Sequence, residues 1–453
     1  MSPLWTAEAL ESATGGVMQA PFAADGVAID SRRLAPGDLF IALRAARDGH
    51  DFVRDALRRG AAGAMVDHAP PDLPKDAPLL VVGDTLQGLT ALGAYGRVRA
   101  GAKIAAITGS VGKTSTKEML RAILAGQTSV HAAESSHNNH WGVPLTLARL
   151  PPGAGAAVIE IGMNHAGEIA PLARITRPHV AIITAIAPAH LGHLGSLEAI
   201  AREKATIMEG LLPDGVAILP ADSAFLPQLR EWAGGRRVVT FGGAGDVPLL
   251  AFAGDARASA VTTVIGGREF SFHLGLPGRH MAENALAALA AAAALGFDPA
   301  AGAAALAGFA GLAGRGARRQ LHLPSGEITL FDESYNASPA SVRAALAVLG
   351  LQAGRRIAVL GDMLELGDAG PAAHAALAAE AAASADLVFT AGPLMAGLFA
   401  AIPAALRGAQ APDSEALAPL LLARLRDGDA VLVKGSFGSR MSLVIDALAR
   451  EAR

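Results

Sequence analysis

Short runs of β-branched and other apolar residues alternate along this chain with longer alanine-rich segments. The runs at residues 103–108, 156–161, 179–186 and 356–360 have the length and composition of buried strands, and helix-forming segments follow them. Strands that alternate with helices usually pair in parallel, because each helix carries the chain back to the same end of the sheet. The sequence therefore predicts an α/β protein built on parallel sheets.

The chain is long enough for several domains. It has 453 residues, and at roughly 100 to 200 residues per domain we expect about three. Proline, aspartate and lysine concentrate at residues 70–78, which predicts a surface linker that closes a first domain near residue 85. The glycine-rich residues 308–316 predict a second hinge. The predicted domains are residues 1–85, 86–312 and 313–453.

Composition excludes several classes of function. The 38 basic and 41 acidic residues leave a net charge of -3, which favours neither a nucleic acid nor an anionic membrane as partner. With no cysteine, the chain has no disulfides and no thiol nucleophile. The first residues lack the pattern of a signal peptide, so we expect a cytoplasmic protein. The alanine-rich residues 284–314 are interrupted by Gly-Phe-Asp-Pro at 296–299, which predicts two packed helices rather than a membrane span.

A glycine loop stands between the strand predicted at residues 103–108 and a helix predicted at 117–124. In such a loop, backbone amides face a phosphate, the lysine reaches the outer phosphates and the threonine hydroxyl binds magnesium. Only two residues separate the first glycine from Gly-Lys, where the general pattern has four, and the alternative is an ordinary glycine turn. The predicted ATP-binding residues here are Gly109, Ser110, Val111, Gly112, Lys113, Thr114 and Ser115.

Acidic and imidazole side chains follow the next two predicted strands. Glu160 and His190 are expected at the carboxyl edge of the parallel sheet, beside the glycine loop. A carboxylate in that position suits magnesium. Taken alone, Glu160 is equally consistent with helix capping, and a single histidine after a strand is more often structural. On composition alone, Lys204 on the following helix is expected to be a surface lysine.

Further motifs occur in order over nearly the whole chain. They are Asp-Ser-Arg at 30–32, Asp-Gly-His-Asp-Phe at 48–52, Asn-Asn-His-Trp-Gly-Val-Pro at 138–144, Glu-Ile-Gly-Met-Asn-His at 160–165, Ala-His-Leu at 189–191, Asp-Glu-Ser-Tyr-Asn-Ala-Ser-Pro at 332–339, Gly-Asp-Met-Leu-Glu-Leu-Gly at 361–367 and Val-Lys-Gly-Ser at 433–436. Together with the glycine loop, whose two-residue gap is the family's own form, they resemble the Mur ligase family. The resemblance implies an N-terminal domain for a UDP-sugar, a central ATPase domain with a phosphate loop on a parallel sheet, and a C-terminal Rossmann-like domain.

The resemblance also implies an activity. A Mur ligase uses ATP and Mg²⁺ to join a carboxylate to an amine in peptidoglycan precursor synthesis. The segment at 332–336 favours the family member that adds D-alanyl-D-alanine to UDP-N-acetylmuramoyl-tripeptide (UDP-MurNAc-tripeptide) through an acyl phosphate. We expect the enzyme to be a monomer. The nearest alternatives are the ligase for the third amino acid and folylpolyglutamate synthetase, which usually differ in that segment. A nucleotide-binding regulatory protein without turnover is the alternative from another class.

Residue roles follow from the resemblance position by position. The expected magnesium ligands are Thr114, Glu160, His190 and Lys204, the last as a carbamate, and the expected catalytic residues are Lys113, Lys204, His190 and Asn336. Carbamylation requires a neutral amine, so the site must lower the pKa of Lys204. Expected ATP contacts outside the loop are Asn284, Arg318 and Asp332, with His280 near the adenine. Expected substrate contacts are Ser31, His50, Asn139, Tyr335 and Asn336.

Overall fold

The computed structural model describes residues 2–133, 137–188 and 191–452. Its first sheet contains β1 (Val17–Met18), β2 (Gly26–Ala28), β3 (Asp38–Ile41), β4 (Gly63–Val66) and β5 (Leu79–Val81), with helices α1 (Ala7–Thr14) and α2 (Val53–Arg58). The strand order is β1-β5-β4-β3-β2, and all neighbours are parallel except β1 and β5. Residues 70–78 connect β4 to β5. The prediction of a linker there is therefore wrong, because the chain returns to the same sheet after this proline-rich loop.

The second sheet lies in the central part of the chain. Its strands are β6 (Lys103–Thr108), β7 (Val130–Ala132), β8 (Ala156–Glu160), β9 (Val180–Ile183), β10 (Val216–Pro220) and β11 (Arg237–Phe241). They are parallel in the order β11-β10-β9-β6-β8-β7. Strand β6 lies between β8 and β9, with Ile107 level with Glu160 and Thr108 level with Ile183. The chain therefore leaves all three strands at one edge.

Helices cover both faces of this sheet and are joined to it by two apolar cores. They are α3 (Thr85–Arg99), α4 (Lys113–Ala125), α5 (Gly142–Ala148), α6 (Ile169–Thr176), α7 (Leu191–Leu194), α8 (Leu197–Ala205), α9 (Leu226–Trp232), α10 (Arg279–Ala294) and α11 (Pro299–Ala303). Helices α4 and α10 pack on one face, and α5, α6 and α8 pack on the other. The two alanine-rich helices predicted at 284–314 are confirmed as α10 and α11, with Asp298 capping the second.

A small antiparallel sheet precedes α10 and was not predicted. It contains β12 (Ala251–Gly254), β13 (Ser259–Ile265) and β14 (Arg268–Leu274) in that order. Gly266 and Gly267 form the turn between β13 and β14 with φ of 60° and 78°. A two-residue hairpin with both φ values positive strongly favours glycine. Its inner residues, among them Val261 and Phe272, join the core beneath α10.

The last sheet contains β15 (Ala317–Leu323), β16 (Gly326–Glu333), β17 (Arg356–Gly361), β18 (Leu387–Ala391), β19 (Arg407–Ala411) and β20 (Ala430–Lys434). The order is β15-β16-β20-β17-β18-β19, and only β15 is antiparallel to its neighbour. The helices around it are α12 (Pro339–Gly350), α13 (Gly370–Ala375), α14 (Ala378–Ser384), α15 (Ala396–Ala401), α16 (Ser414–Leu422) and α17 (Ser442–Glu451). Short 3-10 helices lie at Gly49–Phe52, Thr206–Gly210, Ala304–Gly308, Gly367–Ala369, Ala404–Leu406 and Phe437–Ser439.

These sheets confirm the α/β class with parallel sheets. The boundaries after residues 85 and 312 stay predictions; α3 begins at Thr85, and the glycine-rich residues 308–316 precede β15. A search of the described residues finds no helix with the length and apolar character needed to cross a membrane.

A close contact between α3 and α5 links the first sheet to the second. A Cβ atom at Gly96 would lie 2.4 Å from the carbonyl oxygen of Leu147, and one at Gly93 would lie 2.8 Å from that of Pro144. Glycine therefore sets the spacing of these two helices, even though it is a weak helix former. The same end of α3 is also held by Arg97, whose Nε donates to the carbonyl oxygen of Thr176 at 2.8 Å.

We predict that Gly96→Ala lowers the melting temperature, although alanine normally stabilises a helix. The added methyl group meets main-chain atoms that cannot move independently, and overpacking of this kind costs about 1–3 kcal/mol. Differential scanning calorimetry is the measurement. Gly101→Ala is the matched control, because a Cβ there would meet nothing within 4 Å. Equal melting temperatures for the two variants would contradict the proposed packing constraint.

Candidate active site

The glycine loop joins β6 to α4, as the sequence predicts. Gly109 and Gly112 have φ of 151° and 83°. A Cβ at Gly109 would lie 1.9 Å from Oγ1 of Thr184, and one at Gly112 would lie 2.5 Å from Oδ1 of Asn284. Both positions therefore require glycine, for conformation and for space. The second contact also shows that the predicted ATP contact Asn284, on α10, lies directly against the loop.

Hydrogen bonds to the segment after β9 hold the loop in place. The main-chain N–H of Ser110 donates to the carbonyl of Ala185 at 2.8 Å, and its hydroxyl donates to the carbonyl of Ala187 at 2.8 Å. Thr184 donates its hydroxyl to the carbonyl of Val111 at 2.5 Å. The loop is thus tied to the segment that leads toward residue 190. The predicted ligand His190 itself lies outside the described residues.

Glu160 ends β8 beside the loop and is buried. Its Oε2 accepts a hydrogen bond from the hydroxyl of Thr114 at 2.9 Å, and its Oε1 accepts one from Nδ2 of Asn138 at 2.8 Å. A hydroxyl and a carboxylate that already touch are hard oxygen donors of the kind Mg²⁺ prefers. The two residues therefore fit the predicted metal site. Asn138 was not among the predicted site residues, although its motif at 138–144 was noted.

Lys113 folds back over the loop it belongs to. Its Nζ donates to the carbonyl oxygen of Gly109 at 2.7 Å. Burial lowers the pKa of Lys113, the nearby Glu160 carboxylate opposes that change, and the positive charge of Arg315 adds to it. A half-buried cation with a second cation nearby favours an anionic ligand, because a bound phosphate would offset the repulsion.

Lys204 is fully buried on α8. Burial lowers its pKa well below the usual lysine range, and the charge of Lys113 lowers it further, against the opposing effect of Glu203. The carboxylate of Glu203 accepts the main-chain N–H groups of Gly167 at 2.8 Å and Ile169 at 3.0 Å. That pair of bonds fixes α8 to the loop after β8. The lowered pKa of Lys204 favours the neutral amine that the predicted carbamate requires.

The turn after β16 packs on the segment before β15. Asp332 accepts the N–H of Gly314 at 2.9 Å with one carboxylate oxygen and the hydroxyl of Ser334 at 2.6 Å with the other. The N–H of Tyr335 donates to the carbonyl of Gly314 at 3.1 Å, and the guanidinium of Arg315 lies 3.9 Å from the centre of the Tyr335 ring. The charge of Arg315 also lowers the pKa of Lys113, so this arginine links the turn electrostatically to the phosphate loop.

Arg315 and Arg318 interact with different parts of the structure. The predicted ATP contact Arg318 donates from Nη1 to the carbonyl of Ala256 at 3.4 Å, in the turn between β12 and β13. Burial and the charge of Arg257 lower its pKa, and Asp255 opposes this. In this arrangement Arg315 is the arginine whose charge acts on the loop lysine. The closely spaced arginines at 315, 318 and 319 are indistinguishable by residue type alone, so sequence reasoning missed Arg315.

A buried lysine supports the same turn from β20. Nζ of Lys434 donates to Oε2 of Glu333 at 3.2 Å and to the main-chain carbonyl of Asn336 at 3.0 Å. His280 of α10 faces this pair; burial lowers the pKa of His280, Glu333 raises it and Lys434 lowers it. His280 and Glu333 also line a cavity of about 150 Å³ between α10 and the last sheet, together with Met281. Sequence reasoning singled out neither Lys434 nor Glu333.

The remaining predicted substrate contacts belong to other parts of the chain. Ser31 is buried just after β2. Nδ1 of His50 lies 2.6 Å from Asp48, and its Nε2 accepts the N–H of Asp67 at 3.2 Å. Asn139 accepts the N–H groups of residues 141 and 142 at the start of α5. The structure thus brings Lys113, Thr114, Glu160, Lys204 and Asn284 together, and it places Ser31 and His50 on the first sheet.

Comparisons with known proteins identify the family. Residues 107–292 match the model of the Mur ligase middle domain, and residues 317–437 match that of the Mur ligase, glutamate ligase domain. The UDP-N-acetylmuramoyl-tripeptide--D-alanyl-D-alanine ligase of Escherichia coli is 37% identical over 447 residues, 96% of each chain. This chain belongs to the Mur ligase family. The resemblance found in its motifs is confirmed.

Solved structures of Mur ligases have the same fold. MurF from Acinetobacter baumannii has a TM-score of 0.88 and 33% identity, with 98% of this chain and 99% of that one covered. MurF from Thermotoga maritima, solved in complex with ADP, has a TM-score of 0.79 and 26% identity, with 94% and 97% covered. The overlap extends over the N-terminal, central and C-terminal parts of the chain. The expectation of a three-domain Mur ligase fold is therefore confirmed.

We predict that Lys204→Met raises the melting temperature at pH 7. The lowered pKa of Lys204 means that the unfolded chain binds a proton more readily, so the lysine destabilises the fold until the pH approaches the ordinary lysine pKa of about 10.4. Methionine has a similar length and no charge. The gain should shrink as pH rises from 7 to 10, measured by calorimetry in bicarbonate-free buffer. A gain that stays constant or grows over this range would contradict the burial of an uncharged amine.

Proposed function

We propose that this Mur ligase joins D-alanyl-D-alanine to UDP-MurNAc-tripeptide at the expense of ATP, in the cytoplasm and as a monomer. The observation that carries the proposal is the full-length similarity to ligases of that name, combined with an intact set of phosphate-loop, carboxylate and buried-lysine groups at one sheet edge. A regulatory nucleotide binder would need the phosphate loop but has no use for a buried neutral lysine beside it.

In the first step, a carboxylate oxygen of the tripeptide attacks the γ-phosphorus of ATP. The bond from that phosphorus to the β-γ bridging oxygen breaks, which yields an acyl phosphate and ADP. Two anions must approach each other, so positive charge and alignment are the main requirements. Lys113 moves from the carbonyl of Gly109 to the phosphates, and the loop amides hold them. Thr114 and Glu160 would hold Mg²⁺, which would supply further positive charge to neutralise the phosphates.

In the second step, the amine of the dipeptide attacks the acyl carbon. A carbon–nitrogen bond forms, the carbon–oxygen bond to phosphate breaks, and the amine loses a proton as inorganic phosphate leaves. We assign Tyr335 and Asn336 to the incoming dipeptide, because the turn that carries them is fixed by Asp332 and Lys434 and is linked electrostatically to the phosphate loop through Arg315. Rigid support of this kind aligns the amine with the acyl carbon.

The other ligand contacts are proposals of the same kind. Asn284 lies against the loop, and His280 lines the neighbouring cavity, which suits the adenine of ATP. We assign Arg318 and Asp332 to the closing of the C-terminal part over the nucleotide. Ser31 and His50 of the first sheet, with Asn139 at the start of α5, are assigned to the UDP-sugar. His190 is assigned to the metal with Glu160.

The acceptor decides between this proposal and its nearest alternatives. We expect ADP release to depend on D-alanyl-D-alanine and to be near background with meso-diaminopimelate, lysine or glutamate, in a coupled assay with UDP-MurNAc-tripeptide. Lys113→Ala is the control for the phosphate loop and should lower kcat about a hundredfold or more at an unchanged melting temperature. Release driven by glutamate would favour folylpolyglutamate synthesis. ATP binding without acceptor-dependent release would favour a regulatory protein.

We predict that Lys204→Ala abolishes turnover and that short carboxylic acids such as acetate partly restore it. The small acid occupies the space left by the side chain and supplies the anionic oxygen that we assign to the carbamate. The matched control is Lys113→Ala, which acetate should not rescue because that lysine acts as a cation. The measurement is ADP release against acid concentration. Equal behaviour of the two variants would exclude a carbamate role for Lys204.

A further inference from the structure

Exposed apolar side chains gather at one edge of the last sheet. Tyr335, Leu364 and Phe437 are 37%, 38% and 74% exposed, and each follows one of the neighbouring parallel strands β16, β17 and β20 at its carboxyl end. Scattered apolar residues on a surface need no explanation, but a group of them at such an edge does. The carboxyl ends of parallel strands are where α/β proteins bind ligands. We call these three residues the apolar edge.

The three side chains form one surface. The rings of Tyr335 and Phe437 are 5.8 Å apart between centres. Leu364 lies beside Gly438, because a Cβ at that glycine would be 2.7 Å from Cδ1 of Leu364. The N–H of Leu364 also donates to the hydroxyl of Ser436 at 2.9 Å, which holds the β17 and β20 loops together. The arrangement is therefore supported by the main chain beneath it.

This surface is linked to the central part of the chain, electrostatically to the phosphate loop and by a hydrogen bond to α7. Arg315 stacks on the Tyr335 ring at 3.9 Å and acts electrostatically on Lys113. The loop that carries Leu364 also touches the central part of the chain, where the N–H of Gly192 donates to the carbonyl of Glu365 at 3.0 Å. The apolar edge thus borders the site where we place phosphoryl transfer.

We infer that the apolar edge receives the methyl groups of the incoming dipeptide and that Phe437 is a specificity-determining residue for the acceptor. The inference rests on the proposed function and names the acceptor's contact surface. ATP and the UDP-sugar are anionic and polar, whereas D-alanyl-D-alanine presents two methyl groups. An aromatic ring left 74% exposed gains the burial it lacks when such groups pack on it.

The test is steady-state kinetics of Phe437→Ala with two acceptors, D-alanyl-D-alanine and glycylglycine. We expect KM for D-alanyl-D-alanine to rise about tenfold with little change in kcat. The preference for D-alanyl-D-alanine over glycylglycine in kcat/KM should fall by a similar factor, because a methyl group in an apolar site is worth roughly tenfold or more. Phe437→Leu should keep most of that preference. KM for ATP should not move in either variant.

Leu351→Ala is the matched control, since Leu351 is 48% exposed at the end of α12, away from the strand ends. It should leave KM and acceptor preference unchanged. An unchanged preference in Phe437→Ala overturns the inference, and so does a rise in KM for UDP-MurNAc-tripeptide alone, which would assign the surface to the stem peptide. Wild-type enzyme without dipeptide-dependent ADP release would instead overturn the proposed function, and the inference with it.

Discussion

A fully buried lysine within electrostatic reach of a half-buried one is the constraint on which the rest of this site depends. Lys113 and Lys204 both have lowered pKa values, and for Lys204 the charge of Lys113 is one of the causes. Two positive charges in a site of low dielectric repel strongly, so one amine is kept neutral or an anion must be present. The proposed triphosphate would offset this repulsion, and the proposed carbamate would replace one of the two positive charges by a negative one.

The sheet topology places these groups together. Lys113 and Thr114 follow β6, Glu160 ends β8, and the loop's hydrogen bonds reach the segment after β9. Strand β6 lies between β8 and β9 in a parallel sheet. Thr114 and Glu160, which are 46 positions apart in sequence, therefore meet at the carboxyl edge of that sheet. Lys113 and Thr114 begin α4, Lys204 lies on α8, and Glu203 anchors α8 to the loop after β8. The order of the strands in the sheet therefore determines which of these side chains lie next to one another.

The parts of the fold that sequence reasoning predicted are those with local signals. The strand at Lys103–Thr108 and the loop after it combine an apolar run with a glycine pattern. The linker at residues 70–78 was wrong because a proline-rich loop has the same composition within a domain as between domains. Lys434 lies in the motif at 433–436, but its role, like that of Arg315, arises from contacts with the turn at 333–336, which the residue pattern alone does not show.

The C-terminal part contributes to the site through main-chain contacts as well as side chains. The loop at 361–367 is fixed by the fully buried His374, whose Nε2 accepts the N–H of Met363 at 2.8 Å. At its far end a Cβ on Gly367 would lie 3.2 Å from Cα of Gly192, close enough that two side chains would push the chains apart. Gly192 is the second residue of α7, which begins at Leu191. Glycine at 192 and 367 therefore lets the loop after β17 approach the central part of the chain at main-chain distance.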